Sequence, residues 1–137
     1  MKINQTIDIT GFDAVAESDA GYEFELKGTD GMTGTGVFFT VVGKHADVVS
    51  KWTTKIVNAH LREQQIAQRK GKQVEAKSLD EIKAQNIEGA LLRVTGWRNV
   101  TQPFTKELLA TVFAKNPHFV DQVIGESDNL GNFSEKR

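Results

Sequence analysis

The sequence predicts an α+β fold that is mainly helical, with an N-terminal β-hairpin packed on a bundle of about four helices. Three patterns lead to this prediction. Apolar and charged residues alternate from Tyr22 to Lys27, as they do in a strand with one buried face. Apolar residues recur at helical spacing from Val48 onward. Finally, Thr105 and Asn116 each precede a run with the signals of a helix start, and a proline follows Asn116 directly.

The hairpin is predicted over residues 22–42. Its second strand is the β-rich run from Val37 to Val42, and the connection before it holds four glycines within ten residues, residues 27–36. A phosphate-binding loop needs a Lys-Ser or Lys-Thr pair after its glycines and a helix behind it, whereas a strand follows here. We therefore expect a long, flexible hairpin loop.

Helices are predicted at about residues 46–70, 78–95, 106–115 and 117–124. At about 100° per residue, Trp52 and Ile56 fall on the apolar face of the first helix. Ser78 and Glu81 have the spacing of a capping box at the start of the second helix. The predicted core consists of large apolar residues from three of the helices and from the segment after the second helix: Trp52, Ile56, Trp97, Phe104, Leu109, Phe113 and Val120.

The chain is predicted to contain one α+β domain, residues 22–125. A length of 137 residues suits a single core. Residues 1–21 show no sustained apolar period, so we expect a loosely ordered N-terminal segment. Gly125 is a typical helix stop, and we expect residues 126–137 to form a polar C-terminal tail.

Composition and motifs argue against several classes of protein. The chain has no cysteine, no N-terminal apolar run typical of a secretory signal, and no apolar stretch of the roughly 20 residues that span a bilayer. His45, His60 and His118 are far apart, and no serine lies in a G-x-S-x-G motif. We expect a soluble, intracellular, non-catalytic protein with no catalytic residues, no metal site, no cofactor and no membrane partner.

Charge is distributed unevenly along the chain, although the net charge is only −1. Residues 1–43 carry two bases and seven acids, residues 44–72 carry seven bases and two acids, and the remainder is nearly balanced. Five of the bases fall on one stripe of the first predicted helix and the residues before it, the basic stripe: Lys44, Lys51, Lys55, Arg62 and Arg69. Opposite charges on successive segments favour contact between them, within one chain or between copies.

The basic stripe is predicted to bind a partner. A line of Lys and Arg on one helix can follow nucleic-acid phosphates. The slightly negative net charge and the position of Trp52 on the apolar face favour instead a solvated face or a docking surface for an acidic protein. We hypothesise that residues 1–43 of one copy dock on the basic stripe of another, so that the expected state is a homo-oligomer.

Two apolar residues of the predicted tail, Leu130 and Phe133, lie outside any amphipathic pattern. Such residues either fold back onto the domain or anchor a partner. We assign both to the partner-binding surface.

Three segments, taken in order, resemble the tail assembly chaperones of lambda-like long-tailed phages. The first, residues 25–47, reads E-L-K-G-T-D-G-M-T-G-T-G-V-F-F-T-V-V-G-K-H-A-D and resembles a strand, a G-x-D-G turn and a T-V-x-G-K-x-x-D ending before a long polar helix. Residues 90–109, A-L-L-R-V-T-G-W-R-N-V-T-Q-P-F-T-K-E-L-L, resemble the W-x-x-(V/I) and P-F-(T/S)-x-E-N blocks of the family. Residues 116–133 are similar to its closing helix and final Asn-Phe. The chain departs from the pattern at Leu108 and His45, where the family more often has Asn and Asp.

The resemblance implies a non-catalytic protein that binds the tape measure protein during tail assembly and helps tail tube protein subunits polymerise around it. It also implies self-association, a location in the host cell cytoplasm and absence from the mature virion. Two other functions stay open. One is a nucleic-acid-associated phage or prophage accessory protein that uses the basic stripe, and the other is a structural tail or connector component.

Overall fold

The computed structural model of the chain describes residues 6–134 and confirms a mainly helical α+β fold. The helices are α1 (Ala14–Ala20), α2 (Asp47–Arg69), α3 (Leu79–Arg93), α4 (Lys106–Lys115) and α5 (Pro117–Asp128). The strands are β1 (Tyr22–Lys27), β2 (Gly34–Val41) and β3 (Val94–Arg98), and short 3₁₀ turns lie at Ile9–Gly11 and Leu130–Asn132. The strands form an antiparallel sheet in the order β1-β2-β3.

Strand β3 is absent from the sequence prediction, which places residues 78–95 in one helix. That helix ends at Arg93, and Val94 already has extended backbone angles (φ −86°, ψ 123°). β3 then pairs with β2, so that Trp97 lies opposite Phe39. Val94 is buried. Because a buried valine suits both the end of a helix face and the start of a strand, apolar spacing alone does not separate the two.

A lysine closes the C-terminal end of α3. The ammonium group of Lys106 donates hydrogen bonds to the carbonyl oxygens of Leu91 and Val94, the second at 2.6 Å, and lies 5.7 Å from the centre of the Phe104 ring. Cations stabilise helix C-termini, where carbonyl groups lack partners. Burial lowers the pKa of Lys106. The contact attaches the start of α4 to the end of α3.

The core lies between the sheet and helices α3, α4 and α5, and Phe39 is at its centre. Phe39 stacks on Trp97 with ring centroids 6.0 Å apart, and it meets Phe24 and Phe113 edge-on. Phe104 packs edge-on against Trp97 at 5.1 Å. The predicted core residues Leu109, Phe113 and Val120 are buried, and Trp97 and Phe104 are partly buried against the same cluster.

Trp52 and Ile56 are not core residues, contrary to the prediction. Both side chains are only half-buried, and Val49 is the one buried residue of α2. Val49 packs with Val42 and Ala46 in a small second cluster at the start of the helix. The apolar face of α2 therefore leaves the core after its first turn.

The connection between β1 and β2 is a hydrogen-bonded turn rather than the expected flexible loop. Asp30 Oδ1 accepts hydrogen bonds from the backbone N–H groups of Met32 (2.9 Å) and Thr33 (2.8 Å), and Oδ2 accepts from the Thr33 hydroxyl at 2.5 Å. The hydrogen bond from that hydroxyl and those from the two N–H groups lower the pKa of Asp30 to about 2. The glycine content of this turn predicts flexibility, but the hydrogen bonds to one aspartate order it.

Two of the three predicted helix caps form as expected. Ser78 accepts a hydrogen bond from the N–H of Glu81 at 3.2 Å, and Thr105 accepts one from the N–H of Leu108 at 3.1 Å. Asn116 precedes α5 but does not cap it, because its Nδ2 donates instead to the carbonyl of Val112, in α4, at 2.9 Å. The start of α5 therefore depends on the proline at its first position.

The N-terminal segment is more ordered than predicted. Asp13 caps α1 by accepting a hydrogen bond from the N–H of Ala16 at 2.9 Å. Ser18 is buried, and its carbonyl accepts from the N–H of Gly43 at 3.0 Å. The prediction of a loosely ordered segment is therefore wrong for α1, and residues 1–5 lie outside the described part of the chain.

The C-terminal region is also wrongly predicted as a polar tail. Helix α5 continues through Gly125 to Asp128, and a 3₁₀ turn follows. Val123 and Ser127 are both buried on the inner side of α5, so packing carries the helix past the glycine at which the sequence predicts a stop. Residues 135–137 lie outside the described part of the chain.

Candidate functional site

Helix α2 presents most of its surface to solvent. Its 23 residues span about 34 Å. Past the first turn, only Trp52, Ile56 and Ala67 are partly buried. The segment after the helix returns along its last turns, where Ala67 and Val74 line the same cleft. α2 is therefore a projecting helix, supported mainly at its base.

The base of α2 is attached to α3 by Trp52. The indole Nε1 donates a hydrogen bond to Glu88 Oε1 at 2.6 Å. The ring lies against Gly89, where an added Cβ atom would come within 2.9 Å of it. Glycine is therefore required here for close approach. The guanidinium of Arg93 lies 5.8 Å from the centre of the Trp52 ring, within the range of a cation–π interaction.

Arg93 is buried, and its hydrogen bonds join α3 to α5. Nη1 donates to the carbonyl of Gly89 at 2.8 Å, and Nε donates to the Ser127 hydroxyl at 3.0 Å. That hydroxyl donates in turn to the carbonyl of Val42, just after β2, at 2.7 Å. Burial lowers the pKa of Arg93, and the carboxylate of Asp128, 4.0 Å away, opposes this effect. The network joins α3, α5 and the segment just after β2, next to the Trp52 ring of α2.

The sequence prediction does not include the Arg93 cluster. One signal was present: Arg93 follows Gly89 by four residues, so both lie on one side of a helix, and the glycine leaves room for a large neighbour. The partner Ser127 lies in the region predicted as a tail, so nothing in the sequence indicated that it is close to Arg93.

All five residues of the basic stripe are at the surface: Lys44, Lys51, Lys55, Arg62 and Arg69. One shallow depression is lined by three of them together with three uncharged residues: Lys51, Thr54, Lys55, Asn58, Ala59 and Arg62. Within residues 6–134, Lys51 pairs with Asp47 at 2.9 Å, and no ion pair joins the stripe to residues 6–43. The acidic and basic segments are therefore not paired inside the described chain.

Helix α2 also exposes apolar residues. Val57 and Leu61 are 50% and 48% exposed and lie four residues apart, on the same side of the helix. At about 100° per residue, Leu61 lies opposite Trp52, which faces α3. The basic stripe runs between these two faces. The outer surface of α2 thus offers adjacent apolar and basic regions.

The structure separates the two predicted C-terminal anchors. Phe133 is 7% exposed, belongs to the core and meets Tyr22 edge-on at 6.0 Å. Its assignment to a partner-binding surface is therefore wrong, because the side chain folds back onto the domain. Leu130 remains exposed.

An apolar cleft of about 180 Å³ opens beside the sheet. Its walls include residues of all three strands and of helices α4 and α5: Leu26, Val37, Phe39, Trp97, Leu108 and Phe119. Gln102 and Thr35 are the polar residues among those that line it. The cleft has room for about one aromatic ring, and it contains no charged group that could transfer a proton.

Within residues 6–134, no cluster of three or more His, Asp or Glu side chains is placed to hold a metal ion. No helix in that range is both long and apolar enough to cross a membrane.

Comparison of the chain with protein-family models, with curated proteins and with solved structures returned no match. Function is therefore inferred from the sequence segments described above and from the surface of α2.

Proposed function

We propose that this chain is a tail assembly chaperone of a long-tailed phage, a non-catalytic protein that binds the tape measure protein and helps tail tube subunits assemble. The observation that carries the proposal is the order and spacing of three sequence segments, residues 25–47, 90–109 and 116–133. It is supported by the element order of the first segment, in which a strand, an aspartate-containing turn and a second strand lead into the long helix α2. The protein would act in the host cell cytoplasm and be absent from the finished particle.

The surface that we assign to the tape measure protein is the outer side of α2. It exposes Val57 and Leu61. At about 100° per residue, Leu61 lies about a quarter-turn round the helix from Arg62 and the basic stripe, and Val57 lies farther round. An assembly factor has to release its partner, and half-exposed apolar contacts with screened charges favour reversible binding over tight burial. Leu130 is the second exposed position to which we assign a contact.

Co-purification tests this assignment. The chain is co-expressed with the tape measure protein of the same genome, and separately with its tail tube protein. We expect a complex with the tape measure protein that Leu61→Ser/Arg62→Glu weakens by at least about tenfold, or about 1.4 kcal/mol. Met32→Ser is the matched control, because Met32 is apolar and 82% exposed on the hairpin turn. Failure to bind either protein would overturn the proposal.

A second candidate function is nucleic-acid binding, favoured by the depression that Lys51, Lys55 and Arg62 share. Fluorescence anisotropy with duplex and single-stranded oligonucleotides measures it. Binding to phosphates weakens steeply as salt rises. If Lys55→Glu abolishes strong, salt-dependent binding to oligonucleotides while the tape measure protein does not bind, this second function replaces the first.

A structural tail or connector component is the third candidate, and it differs from a chaperone in whether it remains in the finished particle. Mass spectrometry of purified particles distinguishes the two, because a chaperone leaves the particle and a structural component remains in it. We expect no peptides of this chain in mature virions.

A further inference from the structure

The N-terminal arm, residues 6–17, carries apolar side chains that nothing in the described chain covers. Ile7, Ile9 and Phe12 are 76%, 78% and 74% exposed. Single exposed apolar residues are common on protein surfaces. Three large ones within six residues concentrate exposed apolar surface in one short segment, and concentrated apolar surface marks contact sites.

The arm has a defined local shape and a fixed point of attachment. Asp8 accepts hydrogen bonds from the N–H and the hydroxyl of Thr10, at 3.0 and 2.6 Å, and Asp13 caps α1. Just beyond the arm, Ser18 is held against Gly43. The arm therefore leaves the body at a fixed position, and its apolar side chains are exposed to solvent.

Charge identifies the kind of surface that fits the arm. The arm contains Asp8, Asp13 and Glu17 and no base. The basic stripe of α2 has the opposite charge, and Leu61 lies about 100° round the helix from Arg62, with Val57 beyond it. The arm and α2 therefore each combine exposed apolar side chains with charges, and the charges on the two are of opposite sign.

The dimensions of the two surfaces also agree. From Thr6 to Asp13 the arm reaches at most about 19 Å with its 3₁₀ turn at Ile9–Gly11 in place. The stretch of α2 from Lys51 to Arg62 is about 17 Å long. One arm is therefore long enough to lie along the exposed apolar pair with its carboxylates towards the basic stripe, which runs on one side of that pair.

We propose that the N-terminal arm of one copy docks on α2 of a second copy, with its apolar side chains against Val57 and Leu61 and its carboxylates towards the basic stripe. A second copy is the occupant because this chain supplies both complementary surfaces, while within one chain the arm remains exposed and unpaired with the stripe. This inference does not rest on the proposed binding of the tape measure protein, although both contacts are assigned to the same side of α2.

Sedimentation velocity of the full chain over a range of concentrations tests the contact. We expect association that is at least about tenfold weaker in Ile9→Ser/Phe12→Ser and in Val57→Ser/Leu61→Ser, since burial of each side chain contributes roughly a tenfold factor or more. Met32→Ser should associate as the wild type does. Lys55→Glu/Arg62→Glu should weaken association most at low salt, where charges are least screened. A chain that stays monomeric at every concentration, or variants that associate unchanged, would overturn the proposal.

Cross-linking locates the contact directly, because a disulfide bond captures even a weakened association. The chain has no cysteine, so Phe12→Cys and Leu61→Cys can be placed singly in two chains of different mass. Mixing them under mild oxidation should give a disulfide-linked heterodimer. The pair Met32→Cys and Leu61→Cys should give at least about tenfold less, by the same affinity argument. Equal yields from the two pairs would show that the arm does not dock on α2.

Discussion

Arg93 places a charge inside the protein and Ser127 places a hydroxyl there, and both groups make hydrogen bonds. Arg93 is buried, and Ser127 is fully so. Within residues 6–134, no buried side-chain nitrogen or oxygen lacks a hydrogen-bond partner. A buried guanidinium is tolerated only when it is paired in this way. The Ser127 hydroxyl accepts from Arg93 and donates to the carbonyl of Val42, so one side chain serves two buried groups.

Replacing Ser127→Ala should therefore lower the free energy of unfolding. The substitution removes a partner from the Arg93 Nε–H and from the Val42 carbonyl, and a buried group left unpaired costs about 1–3 kcal/mol. We expect a loss of about 2–3 kcal/mol in denaturant unfolding. Ser134→Ala is the control, because its exposed hydroxyl makes one long bond of 3.3 Å and its loss should cost less than about 0.5 kcal/mol. Equal stability of the two variants would contradict the network.

Asp30 gives the hairpin turn a pH dependence. Its pKa is about 2 in the folded protein, below the ordinary value of 3.8. The stabilisation from its hydrogen bonds is therefore fully present above pH 3.8 and is lost as the pH falls through about 2. In NMR titrations, the amide signals of Met32 and Thr33 should move with a midpoint near pH 2. Asp30→Asn keeps an acceptor oxygen and should abolish this titration, whereas a wild-type midpoint near 4 would disprove the assignment.

At the scale of elements, two helical glycines are predicted to respond in opposite ways to alanine. Gly125 lies in α5, and an added Cβ would have no neighbour within 4 Å, so Gly125→Ala should stabilise the protein by about 0.5–1 kcal/mol. At Gly89 the same Cβ would come within 2.9 Å of the Trp52 ring and 3.0 Å of Arg93 Nη1. Overpacking of this kind costs about 1–3 kcal/mol.

Thermal unfolding compares the two variants. We expect Gly89→Ala to be less stable than Gly125→Ala by at least about 1 kcal/mol. Its Trp52 indole N–H signal should also move, since the ring has to leave its position against α3. If Gly89→Ala were stabilising and left that signal unchanged, Trp52 would not be packed at the base of α2 as described.

The elements that the sequence predicts correctly are those with local signals. Ser78 and Thr105 cap helices because each hydroxyl meets an N–H three residues ahead in the chain. Strand β3 could not be predicted in this way, because it depends on the free edge of β2, more than fifty residues earlier. Phe133 is similar, since its burial depends on Tyr22 at the other end of the domain.

In the candidate site, too, features with a local sequence signal are predictable and features that depend on distant residues are not. The basic stripe is predictable because helical spacing and charge alone place it at the surface. The attachment of that helix is not, because it depends on Trp52 meeting Glu88 of α3, 36 residues later in the chain. The face of α2 turned away from the body, with Val57 and Leu61, becomes recognisable only when the actual position of Trp52 is known.

Across the whole molecule, a packed body carries one projecting helix and one exposed arm. The main core joins the sheet to α3, α4 and α5, while α2 contributes Val49 to a small separate cluster. The complementary charge and apolar character lie on these two outlying parts. If the arm and the tape measure protein use the same side of α2, self-association and partner binding exclude one another, and release of the arm would accompany binding.

Hydrogen exchange distinguishes the projecting helix from the body. A helix with few buried apolar contacts opens locally, so in dilute solution the amides of residues 57–69 should exchange at free energies well below that of global unfolding. The amides of Val120 and Val123 in α5 should exchange only when the whole protein unfolds. If the arm of a second copy covers α2, protection near Leu61 should rise with protein concentration while that of α5 stays constant. Protection of residues 57–69 equal to that of α5 at every concentration would show that α2 is packed, and it would remove the basis for both proposed contacts.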